Sequence, residues 1–154
     1  MDKAEELRYL ILAVQREGNR LLTEALRPLD LTPSQAEVLQ VLEQFEPLSL
    51  LELGERLVCE TGSPSRLVNS MVEKGLIQKA TSEADRRAVQ LVLSDRARQI
   101  MPELNAIQAE FNKLPLGVLD EATLDLTVEV LWRFAETTSG GQALRHRQQQ
   151  KETG

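Results

Sequence analysis

Helical spacing of apolar residues gives way to strand alternation just after Gly75 and returns at Ser94, and this change of period constrains the fold most. Upstream of it, Ser49 caps a short helix, LLELGERLV, running to about Val58. Glu52 stands three residues on, and Leu48 and Leu53 are placed as a hydrophobic staple. The connection CETGS leads to Ser63-Pro64, an N-cap followed by proline at the first helical position. The helix that follows, SRLVNSMVEK, stops at Gly75, a residue suited to a left-handed C-cap. Two such helices around a short Gly-containing turn fit a helix-turn-helix. Downstream, Leu76 to Lys79 reads as a strand and TSEADRR as a polar turn. AVQLVLS reads as a second strand with Val89, Leu91 and Leu93 on one face. The expected fold is mainly α with a small β-hairpin wing: a winged helix-turn-helix with N- and C-terminal helices around it.

The flanking segments are helical by the same test. Residues 2–26 carry Leu7, Leu10, Ile11, Val14, Leu21, Leu22 and Ala25 on one stripe that ends before Pro28. A helix of that length runs roughly 37 Å at about 1.5 Å per residue, longer than a small domain needs. Thr32, Pro33 and Gln35 form a capping box for the next helix, whose stripe is Ala36, Val38, Leu39, Val41, Leu42 and Phe45. Ser94 caps a later helix carrying Ala97, Met101, Leu104, Ile107 and Phe111, and Pro102 within it predicts a kink or a second helical start. Asp120 caps a last helix with Leu124, Val128, Leu131 and Trp132. Residues 1–136 read as one domain and 137–154 as a polar, flexible tail.

Composition removes most chemistry. The single cysteine, Cys59, cannot make an internal disulfide or a thiolate metal cage, so a reducing, cytoplasmic setting is expected. A lone histidine, His146, nearly excludes a His-based triad or a multi-His metal site. No phosphate-binding glycine loop, nucleophile elbow or zinc motif is present, so neither an enzyme nor a cofactor is expected. No apolar run approaches the ~20 residues of a membrane span, and MDKAEELR does not read as a signal peptide. The net charge of −6 is unevenly spread: residues 1–47 carry −4, 48–94 are neutral and 95–154 carry −2. Within the middle block, 61–90 carries +2, a locally basic stretch in an acidic chain.

From Leu31 to Met101 the sequence resembles the MarR family of bacterial transcriptional regulators. The likeness rests on LTPSQAEVLQVL, LLELGERL, RLVNSMVEKGLI and the wing DRRAVQLVLSDRAR. It departs at Ser63-Pro64, where the family often has a helix-forming or β-branched residue, and at Ser70, a position often basic in relatives. The resemblance implies a homodimer joined by helices in 2–28 and 95–136, presenting two winged helices, at about 31–94, to double-stranded DNA. It also implies repression, relieved by a small-molecule effector or an oxidant.

The helix from Ser63 to Lys74 turns Pro64, Leu67, Val68 and Met71 inward and Ser63, Ser65, Arg66, Asn69 and Ser70 mainly outward. Arginine can fork onto guanine and asparagine onto adenine in the major groove, whereas serines suit phosphates. At the hairpin turn, Arg86 and Arg87 stand beside Asp85. The resemblance sends Arg87 into the minor groove with Asp85 as its orienting partner. Cys59 lies between the two helices and has two readings, a small buried hydrophobe or a redox sensor with a lowered thiol pKa. No ligand-lining residue is selected by sequence. Two functions stand against each other: a DNA-binding repressor of a pseudo-palindromic site, and a winged-helix protein-interaction module without DNA binding.

Overall fold

A computed structural model describes residues 1–59 and 62–149. Its elements are α1 (Lys3–Leu26), α2 (Pro33–Phe45), α3 (Leu50–Gly54), α4 (Pro64–Glu73), β1 (Ile77–Thr81), β2 (Val89–Leu93), α5 (Asp95–Asn112), α6 (Glu121–Ala135) and α7 (Ser139–Gln149). The fold is mainly α with one two-stranded antiparallel hairpin, as the change of period predicts.

Helix α2 is the post around which the winged helix is built. The Thr32–Gln35 capping box starts it, with the Gln35 N–H donating to Thr32 Oγ1 at 3.2 Å and the Thr32 N–H to Gln35 Oε1 at 3.1 Å. Residues Gln35 to Leu39, with Val41 and Leu42, are buried, and α1, α3, α4, α5 and β2 all pack against α2. Leu26, Leu53, Val68, Met71, Leu91 and Leu104 are among the residues that join it in this core.

The recognition unit follows from local signals. Helix α4 ends in a Schellman motif: Leu76 N–H donates to Met71 O at 2.9 Å and Gly75 N–H to Val72 O at 3.0 Å. Gly75 takes φ 74° to allow this. The strands pair from Ile77↔Leu93 to Thr81↔Val89, and Leu48 adds a bridge to Leu91 that ties the wing to the α2–α3 connection. Leu91 and Leu93 are buried, whereas Val89 is exposed because the hairpin projects past the core. Ser94 is a junction: its hydroxyl donates to Gly75 O at 2.7 Å and accepts the Ala97 N–H at 3.0 Å.

The end of α3 and the segment after α6 depart from the sequence reading. Helix α3 ends at Gly54 rather than near Val58, because Arg56 folds back, donating from Nη1 to Glu52 O at 2.7 Å beneath the Phe45 ring. Of the two outcomes expected at Pro102, the second start does not occur: helix α5 runs through it, with Met101 and Leu104 buried on either side. Residues 139–149, expected as tail, form α7, with Gly141 and Ala143 buried. The last part of that expected tail, 150–154, lies outside the described residues.

Helices α1 and α6 are poorly covered. Only Leu26 of α1 is buried, and no residue of α6 is. No helix among the described residues is long and apolar enough to cross a membrane. Ser94→Ala should lower stability by about 1–2 kcal/mol in urea denaturation, since it removes a cap and orphans the Gly75 carbonyl. An unchanged midpoint would contradict the junction role.

Candidate nucleic-acid interface

Helix α4 is short, about 15 Å at 1.5 Å per residue, and lies with Val68 and Met71 in the core. Its opposite side exposes Ser65, Arg66 and Asn69, while Ser63 and Ser70 are half-buried. Ser63 occupies the N-cap position but makes no capping bond; its Oγ instead lies 2.8 Å from Ser65 Oγ. The first N–H groups of α4 therefore lack a side-chain cap, which suits a phosphate at that end. Ser70 turns its hydroxyl inward, donating to Leu67 O at 2.9 Å, so it contributes less to the outer face than the sequence reading gives it.

The wing places Asp85, Arg86 and Arg87 together on an exposed tip. Asp85 does hold Arg87, but through the backbone: the Arg87 N–H donates to Asp85 Oδ1 at 2.9 Å. Ala88 N–H donates to Asp85 O at 3.0 Å, and Ser82 N–H to Ala88 O at 3.1 Å. Asp85 thus shapes the turn and leaves the Arg87 guanidinium outside an ion pair. Among the described residues, Arg66, Arg86 and Arg87 form no salt bridge.

Other cations near this face are committed to the fold. Lys74 donates to Asp30 O at 2.6 Å and lies 3.4 Å from Asp30 Oδ2, and Arg96 donates to Lys74 O at 2.6 Å. Lys79, which sequence reasoning passed over, is exposed on β1 with Nζ 3.4 Å from Asn69 Oδ1. It joins α4 to the hairpin across a cleft of about 180 Å³ lined by Ser65, Asn69, Lys79 and Val89. The register Lys79↔Leu91 is the signal that would have pointed to it, since it sets Lys79 beside the helix exit.

Cys59 departs from its reading as a small buried hydrophobe. The residue is exposed rather than buried in the core. Loss of hydration and then the Glu37 carboxylate push the thiol up to about 11, with Arg147 opposing weakly. A sensor thiol needs the opposite shift.

A helix-turn-helix followed by a cation-tipped hairpin defines the winged helix-turn-helix class. The MarR family model matches residues 29–88. The regulator MgrA of Staphylococcus aureus is 31% identical over 102 residues, covering 66% of this chain and 69% of MgrA. The chain belongs to the MarR family. Mutant MarR from Escherichia coli, solved with operator DNA, superposes with a TM-score of 0.75 at 24% identity, covering 88% of this chain and 99% of that one. BpsR of Bordetella bronchiseptica, whose DNA binding is regulated by 6-hydroxynicotinic acid, gives 0.77 at 18% identity, covering 89% and 98%.

Arg87→Ala should weaken duplex binding by about 1–3 kcal/mol while leaving the unfolding midpoint nearly unchanged. Equal affinity at several salt concentrations would remove the wing from the interface. Cys59 alkylation should be slow at neutral pH, where only about one thiol in ten thousand is ionised at this pKa, and should rise roughly tenfold per pH unit toward 11. A rate that levels off below pH 9 would contradict the raised pKa.

Proposed function

We propose that this DNA-binding transcriptional regulator acts in the cytoplasm as a homodimer, repressing from a pseudo-palindromic operator until a small molecule releases it. The observation that carries the reading is the placement of unpaired guanidinium groups. In a chain of net charge −6, Arg66, Arg86 and Arg87 on α4 and the wing form no ion pair among the described residues, while Lys74, Arg98 and Arg147 are locked into the fold. Arg66 and Asn69 supply base-reading groups, and the uncapped start of α4 supplies phosphate contacts. A module that binds only protein is not favoured by this likeness to DNA-binding regulators.

The dimer reading rests on apolar exposure. Leu10, Leu12 and Val14 on α1 are 55%, 47% and 71% exposed, and Leu126 and Phe134 on α6 are each 57% exposed. Large apolar side chains left exposed on two helices are surface that a partner copy can cover. Two copies joined there would present two α4 helices about 34 Å apart, matching successive major grooves. A small-molecule trigger suits the largely apolar depression between α1 and α5, lined by Ala25, Ala106, Ile107, Phe111 and Leu114 together with Glu103 and Glu110.

Selection from random duplexes, paired with sedimentation, tests the reading. The expected outcome is a dimer that enriches inverted half-sites and whose affinity falls steeply and log–log linearly with salt. A monomer that enriches no sequence would contradict it.

A further inference from the structure

Helix α7 is fitted against the connection that delivers the recognition helix. Its corner is built from small residues. Thr138 Oγ1 accepts the Gly141 N–H at 3.0 Å and donates to Ala135 O at 2.7 Å. A Cβ on Gly141 would lie 1.9 Å from Ala135 O, so the close turn out of α6 admits only glycine there. A Cβ on Gly140 would meet Val58 Cγ1 at 3.6 Å, and Ala143 is buried. Arg145 stacks over the Trp132 ring at 4.0 Å, binding α7 back to α6.

The far end of α7 reaches a buried charge. Arg147 Nε donates to Arg56 O at 2.7 Å, and its Nη2 pairs with Glu37 Oε1 on α2. Glu37 is only 7% exposed. The same carboxylate accepts the Val58 N–H at 2.8 Å on Oε1 and the Cys59 N–H at 2.7 Å on Oε2. Core helix, α3–α4 connection and C-terminal helix thus converge on one carboxylate. An unpaired buried carboxylate is costly, so the arrangement favours being wholly made over being loosened.

We propose that Glu37 and Arg147 are positioning residues for DNA reading. On this account α7 is a strap that holds residues 56–59 on α2 and so sets where α4 begins. Neither residue touches DNA. Because α7 continues from α6, a shift of the exposed α6 face is transmitted to the recognition helix through Arg147. The inference rests on the DNA-binding reading above.

The test uses the full chain and a duplex enriched from a random pool by the wild type. Arg147→Met is expected to weaken binding about tenfold without changing the slope of log affinity against log salt. Amide exchange at Val58 and Cys59 should rise in parallel. Gly141→Ala, which alters no charge, should reproduce both effects by forcing α7 off its seat. Arg147→Lys, which keeps the charge but loses the two-pronged grip, should give a smaller loss and serves if Arg147→Met fails to fold. Unchanged affinity, or unchanged exchange at 58 and 59, would overturn the strap. So would a salt slope reduced by about one, since Arg147 would then be a phosphate contact. A wild type that enriches no duplex would sink the DNA-binding reading and the strap with it; a wild type that binds and variants that match it would sink the strap alone.

Discussion

The structure depends on burying α2 along most of its circumference. Helices α1, α3, α4 and α5 and strand β2 pack against it, and its capping box and stripe of Ala36, Val38, Leu39, Val41 and Leu42 fix both its start and its rotation. Burial of this stripe is the main favourable contribution. Once α2 is fixed, the remaining freedom is small. Leu48 bridges to Leu91, Glu46 Oε2 accepts the Leu93 N–H at 2.6 Å, and Ser94 closes the exit from α4. The wing and the recognition helix are thereby tied to the same core helix.

Charge is divided by task within the fold. Glu37, Glu46, Asp30, Lys74, Arg56, Arg98 and Arg147 are bound to partners and work on the fold. Arg66, Arg86 and Arg87 form no ion pair among the described residues. The wing shows the principle most clearly: Asp85 is placed where it could neutralise an arginine, yet it accepts a backbone N–H and leaves the cation to solvent. Surface ion pairs contribute little to stability. Leaving these arginines unpaired therefore costs the fold little.

Local signals made the centre of the fold legible. The Thr32 and Ser49 capping boxes, the glycine stop at Gly75 and the alternation through Leu91 and Leu93 each act within a few residues, so α2, the start of α3, the end of α4 and the hairpin could be read directly. What could not be read was set at a distance. The end of α3 depends on Arg56 folding under Phe45. The thiol of Cys59 is pushed up first by loss of hydration and then by a carboxylate 22 positions earlier in the chain. Helix α7, SGGQALRHRQQ, carries glycines and few apolar residues, so its helicity rests on docking rather than on propensity. The outer residues of α4 were legible as a face, but Ser63 and Ser70 found local hydroxyl and carbonyl partners that spacing does not reveal.

The central claim is that α4 enters the major groove while the wing tip reaches the neighbouring minor groove, twice per dimer. Chemical footprinting on an enriched duplex measures this directly. Two clusters of guanine N7 atoms protected from methylation, about one helical turn apart, with flanking minor-groove protection that Arg86 and Arg87 substitutions remove, is the predicted pattern. Protection confined to a single cluster, or flanking protection indifferent to those arginines, would contradict the account.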